Sequence, residues 1–365
     1  MRAPLERFNT LVLGAGQAGL AAAHALAARG ESFAVLDAHA RVGDSWRARW
    51  DSLRLFTPVF ANHLPGLKFP GKAAHLAGKD EVGDYLQRYA EHFQLPIRQR
   101  TLVEGVCSAS GGYVVKTEHA TLHADKVVVA TGAFRTPRRP DLARQLDSGI
   151  EQLHTNEYIN PAQVSGDRVL VVGAANSGAQ IALELAEAGR TVTLAGPDTG
   201  RIPRRLLGVD VYRFLQPLLR RRVSSGLGRR VVAKTGAGGD PLVGMRRADI
   251  AAAGVTFCGR VTAARGGLPV IQDKPRPFDA VVWATGYRND YSWIEGLPCD
   301  AAGLPRHAEG LVPELPGLAF MGLRFMRTVG SSLLGGVGRD AQAVVGQLSA
   351  PARPRLRALR PARST

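Results

Sequence analysis

The chain has 365 residues, length for two or three domains, and 45% of them are apolar, which excludes a protein disordered throughout. Lys and Arg outnumber Asp and Glu by 47 to 31, a formal charge of +16, with clusters from Arg201 to Arg230 and in a tail carrying Arg353, Arg355, Arg357, Arg360 and Arg363. Three widely separated cysteines, Cys107, Cys258 and Cys299, exclude a disulfide scaffold, a CxxC redox pair and a cysteine-based zinc site, and fit a reducing cytosol.

Arg2, Glu6 and Arg7 precede any apolar run, which is not the layout of a secretory signal. Leu11 to Ala28 is apolar, but it contains Gly14, Gly16, Gly19, Gln17 and His24 and turns from strand-like to helix-like residues. It therefore predicts a strand, a turn and a helix in a soluble protein with no membrane partner. Thr10 to Leu13 is the strand, Gly14-Ala15-Gly16-Gln17-Ala18-Gly19 the turn, and an Ala/Leu-rich helix ends before Gly30. In such a loop the first glycine makes a tight turn, the second lets backbone approach a pyrophosphate, and the third lets helix and strand pack closely. The anion rests on the free N–H groups of the helix end. A second strand, Phe33 to Leu36, ends at Asp37, where a carboxylate accepts from ribose hydroxyls, as suits FAD or NAD.

The device recurs. Val169 to Val172 is followed by Gly173-Ala174-Ala175-Asn176-Ser177-Gly178 and a helix ending before Gly189, with the same glycine-to-glycine spacing as the first copy. Ala175 stands where glycine is usual. After Val192-Thr193-Leu194 there is no carboxylate but Ala195-Gly196 and then Arg201, Arg204 and Arg205, which favours a 2′-phosphate and hence NADPH; the alternative is a solvated basic face. Leu206, Leu207, Val211, Phe214, Leu215, Leu218 and Leu219 have helical spacing and predict a packed helix with a basic outer side. Val127-Val128-Val129-Ala130-Thr131-Gly132 and Ala280-Val281-Val282-Trp283-Ala284-Thr285-Gly286-Tyr287 form a second repeated pair, each a buried strand ending in Ala-Thr-Gly. The reading is α/β: two doubly wound, Rossmann-like dinucleotide-binding units, the second inserted into the first. No base-reading motif accompanies the basic clusters, so no specific nucleic-acid partner is expected.

With these motifs, Arg41-Val42-Gly43-Asp44-Ser45-Trp46, Trp50-Asp51-Ser52-Leu53-Arg54-Leu55 and Gly335-Gly336-Val337-Gly338-Arg339-Asp340, the chain resembles the flavin-containing monooxygenase and YUCCA-type flavoproteins, and within them bacterial CzcO-like proteins. The resemblance implies an FAD unit at 1–145, an NADPH unit at 146–290, a return segment at 291–350 and a basic disordered tail at 351–365. FAD would have its pyrophosphate on Gly14, Gly16, Gln17, Ala18 and Gly19 and its ribose at Asp37 and Ala38. Gly43, Ser45, Trp46, Arg54 and Thr57 would line the flavin, Val103 would meet the adenine, and Gly338, Arg339 and Asp340 would face the far edge of the ring. NADPH would lie on Gly173, Ala175, Asn176, Ser177 and Gly178, with Arg201 and Arg204 at its 2′-phosphate. Ala130, Thr131 and Gly132, and Ala284, Thr285, Gly286 and Tyr287, would border the two nucleotides.

The activity implied is NADPH-dependent transfer of one oxygen atom from O2 to an amine nitrogen or sulfur of a small substrate, through a flavin C4a-hydroperoxide; the rival is a flavin reductase or oxidase serving another acceptor. No metal is expected. Thr57 is the single candidate for a catalytic hydrogen bond, and a homodimer is an allowed assembly. One departure counts against direct transfer: the run Ser148 to Tyr158 keeps His154 and Tyr158 of the group's identifying stretch but displaces Gly149 and lacks the leading Phe. The Trp-Pro ending of Baeyer–Villiger enzymes is also missing, which ranks ketone oxygenation below heteroatom oxygenation. His154 reads equally as a hinge residue with a satisfied ring, and Trp46 and Trp50 as core aromatics. Phe56 to His75 and Met321 to Thr328 are expected to border the substrate, with Arg324 and Arg327 making its mouth basic.

Overall fold

The computed structural model describes residues 6–236 and 240–350; the basic tail from Pro351 lies outside them. Strands β1 (Glu6–Leu13), β2 (Phe33–Leu36) and β3 (Ile97–Arg98) pair in parallel on one side of the first sheet. On the other side, β1 pairs in parallel with β6 (Thr121–Val129), which closes an antiparallel meander with β4 (Val103–Ala109) and β5 (Gly112–Thr117). The chain leaves this sheet after β6 and returns much later, when strand Leu318–Phe320 pairs with the end of β6. Leu11, Val12, Val127 and Val128 are fully buried, as unbroken apolar runs in a parallel sheet covered on both faces must be. Helix α1 (Gln17–Ala27) packs against the last helix, Val337–Leu348. The one-turn helix α2 (Asp44–Arg47) is held to α3 (Lys79–His92) by Arg47, which bonds Asp84 at 2.7 Å and Gln87 at 3.1 Å.

Between these parts the chain makes a second, all-parallel sheet. Strand β7 (Thr136–Pro137) pairs antiparallel with Tyr287–Arg288, so outward and return crossings are joined to one another. Strands β8 (Glu151–His154), β9 (Arg168–Val172) and β10 (Thr191–Ala195) then line up with Thr256–Cys258 and Ala280–Trp283 in the order Thr256–Cys258, β10, β9, Ala280–Trp283, β8. Helix α4 (Asn176–Glu187) follows β9 as α1 follows β1. In each sheet the strand preceding the glycine loop has its next strand on one side and the Ala-Thr-Gly strand on the other, which makes its carboxyl end the topological switch point where doubly wound folds hold ligands.

The two units share packing. Trp50 and Leu53 come from the first unit's loops but bury themselves in the second unit's core with Tyr158, Ile181 and Leu185. The backbone of Arg54 exchanges hydrogen bonds with the Gln180 amide on α4, and Asp51 takes one from Asn160. The segment after Arg201 corrects the expected helix. Arg205–Leu206 and Val209–Asp210 form a two-stranded hairpin turning at Leu207 and Gly208, both with positive φ, and helix α5 begins only at Tyr212 and ends at Leu219. The apolar spacing was real, but Gly208 supplied a turn that periodicity alone does not register.

Candidate active site

Both glycine loops are built to one plan. Gly14 and Gly173 adopt φ of +100° and +116°, and a Cβ there would come within 2.6 Å of the Ala130 carbonyl oxygen and 2.2 Å of that of Ala284. These crowding carbonyls belong to the two Ala-Thr-Gly strands, so each such strand ends against its own loop. Gly19 and Gly178 let helix and loop touch, since a Cβ would lie 1.8 Å from the carbonyl oxygen of Gly14 or Gly173. Gly16 differs in kind: a Cβ there would meet no protein atom within 4 Å. It would project into open space before the first turn of α1, which has no side-chain cap and no acidic residue, as is also true of α4 behind Ala175. Free N–H groups and an unopposed positive helix end facing open space fit a bound pyrophosphate.

Asp37 closes the first loop. Its Oδ2 accepts the Ala15 N–H at 2.6 Å, and its Oδ1 accepts the His39 N–H at 2.8 Å and lies 2.9 Å from His39 Nδ1. Burial pushes this carboxyl up, but the hydrogen bonds from His39 and Ala15 outweigh it and leave it below the ordinary range, while His39 is raised by its bond to Asp37. The raised imidazole adds stability that is complete below its unfolded value and fades as pH climbs through the folded one. The depressed carboxylate adds stability above its unfolded value that is lost as pH falls through its folded one. The pair therefore helps most between about pH 4 and 6.5. With His39 half exposed, its part is no more than about 1 kcal/mol. His39→Ala is expected to flatten the fall in melting temperature between about pH 6 and 8; an unchanged slope in thermal scans would remove His39 from the pair.

Gln17 accepts a hydrogen bond from the Trp46 indole at 3.3 Å, joining the first loop to the loop that holds Gly43 and Ser45. Gly43 itself packs against α3, where a Cβ would fall 2.3 Å from the Gly83 carbonyl oxygen. Ala38 is exposed; Val103, at the head of β4, and Ala18 are buried. Arg54 projects outward to Glu81, 3.6 Å away. Thr131 and Gly132 line a small recess with Arg135 and Tyr291 beside the crossing strands. At the other crossing Thr285 Oγ1 donates to the Arg138 carbonyl, and Tyr287 takes a hydrogen bond from Arg49 at 2.8 Å while its ring meets those of Phe134 and His154. His154 is fully buried, with Nε2 2.9 Å from the Gly286 carbonyl oxygen and Nδ1 accepting the Asn156 backbone N–H at 3.3 Å, a satisfied ring beside the crossing strands.

Thr57 and Arg339, far apart in sequence, meet around a cavity of about 50 Å3. Ala61 from the first unit, Tyr212, Gln216 and Leu219 from α5, Arg220 just past its end, and Thr328, Gly330, Leu333, Gly335 and Gly336 from the return segment complete its wall. None of the lining residues is a carboxylate. Burial pushes the Tyr212 phenol far above its ordinary value, so it stays protonated. Behind the cavity, in the first turn of the last helix, Asp340 is fully buried; neither carboxylate oxygen has a hydrogen-bond partner among the described residues, and Arg327 Nη1 is 3.5 Å away. Burial raises its carboxyl, with the nearby Ser331 hydroxyl and Arg327 opposing. Gly338 lies against Pro65, where a Cβ would come within 2.5 Å of the proline ring.

Residues 11–236 match the family model of the pyridine nucleotide-disulphide oxidoreductases. The chain belongs to that family. A CzcO-like oxidoreductase of Geobacillus kaustophilus (strain HTA426) is 37% identical over 346 residues, 93% of this chain and 98% of the relative. The indole-3-pyruvate monooxygenase YUCCA1 of Oryza sativa subsp. japonica is 29% identical over 372 residues, covering 92% of this chain and 89% of its own. Among solved structures, a flavin-containing monooxygenase from Stenotrophomonas maltophilia aligns with a TM-score of 0.78 at 27% identity, covering 94% of this chain and 98% of that one. The two Rossmann-type units are those of this FAD- and NAD(P)-binding family. Cys107, Cys258 and Cys299 are all free thiols.

For a pyridine nucleotide-disulphide oxidoreductase, several arginines are differently employed from the sequence expectation. Arg204 does not stand free for a phosphate; it pairs with Asp210 at 2.8 Å and donates to the Phe56 carbonyl at 2.7 Å, pinning the 201–236 segment onto the first unit. Arg201 remains exposed, in a short strand that pairs with Leu242. Asn176 is also occupied, its amide bonding Pro241 and Val243, which leaves exposed Ser177 as the polar side chain at that helix start. Arg327 is not at the cavity mouth but tied to Glu309 and Asp340, and Arg324 turns outward to Asp240; the cations at the cavity are Arg220 and Arg339. Sequence reasoning missed Tyr212, Gln216 and Arg220, whose long-range placement by the Arg204 anchor has no local signature. His39, two residues past Asp37, was within reach of an Asx-turn reading.

Proposed function

We propose that the chain is an FAD-dependent monooxygenase that draws reducing equivalents from NADPH and places one atom of O2 on a small soft nucleophile, an amine nitrogen or a sulfur. On this reading 1–145 with 291–350 form the FAD unit and 146–290 the NADPH unit. The observation that carries it is the matched pair of uncapped helix ends at the two switch points, with open space before Gly16 and a carboxylate-free cavity between the units. The relatives named monooxygenases support the oxygenase chemistry.

Gly14 to Gly19 would hold the FAD pyrophosphate and Asp37 its ribose; Gly173 to Gly178 would hold NADPH, with Ser177 and Arg201 beside its phosphates. Bound flavin supplies hydride acceptance and oxygen activation. The chain's share is positioning and exclusion of water and acids. Tyr212, Leu219 and Leu333 close the cavity, Thr57 offers a hydroxyl there, and no carboxyl group lines it to exchange protons with the reacting centre. Arg220 and Arg339 add positive charge at the same wall.

Turnover with NADPH, isotopically labelled O2 and a panel of tertiary amines and thioethers tests the reading. Label is expected in an N- or S-oxygenated product. NADPH oxidation giving stoichiometric hydrogen peroxide and no labelled product with any of them would assign a reductase or oxidase instead. Thr57→Val keeps the shape and removes the hydroxyl, and is expected to lower kcat about tenfold or more while flavin stays bound; an unaltered kcat would take Thr57 out of the chemistry.

A further inference from the structure

The hairpin that displaced the expected helix presents apolar side chains to solvent. Leu207 is 92% exposed, Leu206 and Val209 beside it are exposed, and so is Phe214, two residues into α5. Leu207 also sits in the left-handed region, with φ of +50° next to Gly208 at +77°. Two-residue hairpin turns of this kind favour Asn-Gly or Gly-Gly, and a branched side chain there costs on the order of 1 kcal/mol. A leucine that is both strained and bare contributes nothing to the folded chain's own packing.

The surroundings are strongly basic. From Arg205 to Lys234 the sequence has eight cations and one acid, Asp210, which Arg204 already neutralises. Arg222 pairs with Glu309, whereas Arg205, Arg213, Arg220, Arg221, Arg229 and Arg230 make no ion pair among the described residues. We propose that this hairpin and the start of α5 form a docking surface for an anionic lipid bilayer, Leu206 and Leu207 entering the interface and the arginines meeting the headgroups. The combination selects the partner. Nucleic acid would use the arginines but not bare leucines. A second copy would use the leucines but bring another +16 of like charge. A bilayer carrying anionic lipid uses both. Among the described residues no helix is long and apolar enough to cross a membrane, so the contact is peripheral. The expectation of no membrane partner addressed spans and is revised here for surfaces. Because α5 also carries Tyr212 and Leu219 into the cavity wall, the docked face is continuous with that wall of the proposed active site.

Flotation of the full-length holoprotein with vesicles of phosphatidylcholine, alone or mixed with phosphatidylglycerol, tests the surface. Partition onto the mixed vesicles is expected to exceed that onto phosphatidylcholine by about tenfold or more and to weaken with salt. Leu206→Ser with Leu207→Ser is expected to lower it about tenfold at unchanged melting temperature and flavin content. The basic tail alone could hold the protein electrostatically, so Leu207→Trp gives a readout local to the tip: its added emission should shift to the blue and be quenched by brominated lipid. No partition, an unaffected double-serine variant, or an unquenched tip would overturn the proposal. So would a lipid-independent dimer that the serine pair dissolves, which would make the face a self-association surface.

Discussion

Replacing Gly19 with alanine is expected to leave little folded protein. The added Cβ would lie 1.8 Å from the Gly14 carbonyl oxygen and 3.4 Å from the Ala130 Cβ, and both neighbours are anchored: Gly14 by its hydrogen bond to the Leu36 carbonyl, Ala130 by its bond to that of Leu13. A backbone oxygen cannot step aside as a flexible side chain can, so α1 must be driven off β1. Overpacking alone costs about 1–3 kcal/mol, and prising a buried helix from its sheet adds to it, so more than about 4 kcal/mol is expected against a total stability of about 5–15 kcal/mol. Gly178→Ala repeats the geometry in the second unit, 1.8 Å from the Gly173 oxygen and 3.1 Å from the Ala284 Cβ. Soluble expression and thermal unfolding read both. A Gly19→Ala protein melting within a few degrees of the parent would show that helix and loop do not touch as described.

Gly16→Val should do the opposite, sparing the fold and removing the flavin. Gly16 has φ −75° and ψ −177°, extended backbone open to any residue, and the matching position of the second loop already holds Ala175 at −83° and −175°. The valine side chain would occupy the open space before α1, where the proposed pyrophosphate lies. A loss of about a hundredfold in FAD affinity, near 2.7 kcal/mol, is expected with little change in apoprotein melting. The converse change, Ala175→Gly, would open the second cradle and is expected to tighten NADPH while costing the fold about 1 kcal/mol or less. FAD retained by Gly16→Val at parental affinity would move the pyrophosphate elsewhere. A collapse of the apoprotein would instead make Gly16 a packing residue like Gly19.

What the sequence disclosed follows the range of the interactions involved. Glycine loops, the strands that precede them and Asp37 are local devices in which a few neighbouring residues suffice, and they could be read directly, the equal spacing of Gly14–Gly30 and Gly173–Gly189 included. The different tasks of Gly16, left open for a phosphate, and Gly19, set against the Gly14 carbonyl, are local and could be read too; that the Ala130 carbonyl crowds Gly14 could not, because Ala130 arrives from more than a hundred residues away. Arg204 illustrates the same limit: next to a nucleotide loop it reads as a phosphate ligand, yet Asp210 and the Phe56 carbonyl claim it in three dimensions. Trp50, a motif residue that reads equally as a core aromatic, is buried by the fold in the second unit. The cavity at Thr57 needed three segments at once, and only two of them carried motifs.

Anaerobic titration of the purified protein with NADPH tests the paired cradles most directly. The account predicts a yellow protein, one FAD per chain, whose visible absorption is bleached by one equivalent of NADPH, with Gly16→Val colourless and Ala175→Gly bleached at lower nucleotide concentration. A protein that is purified colourless and takes up no flavin from excess FAD, or one that binds FAD but is never bleached by either nicotinamide nucleotide, would contradict it.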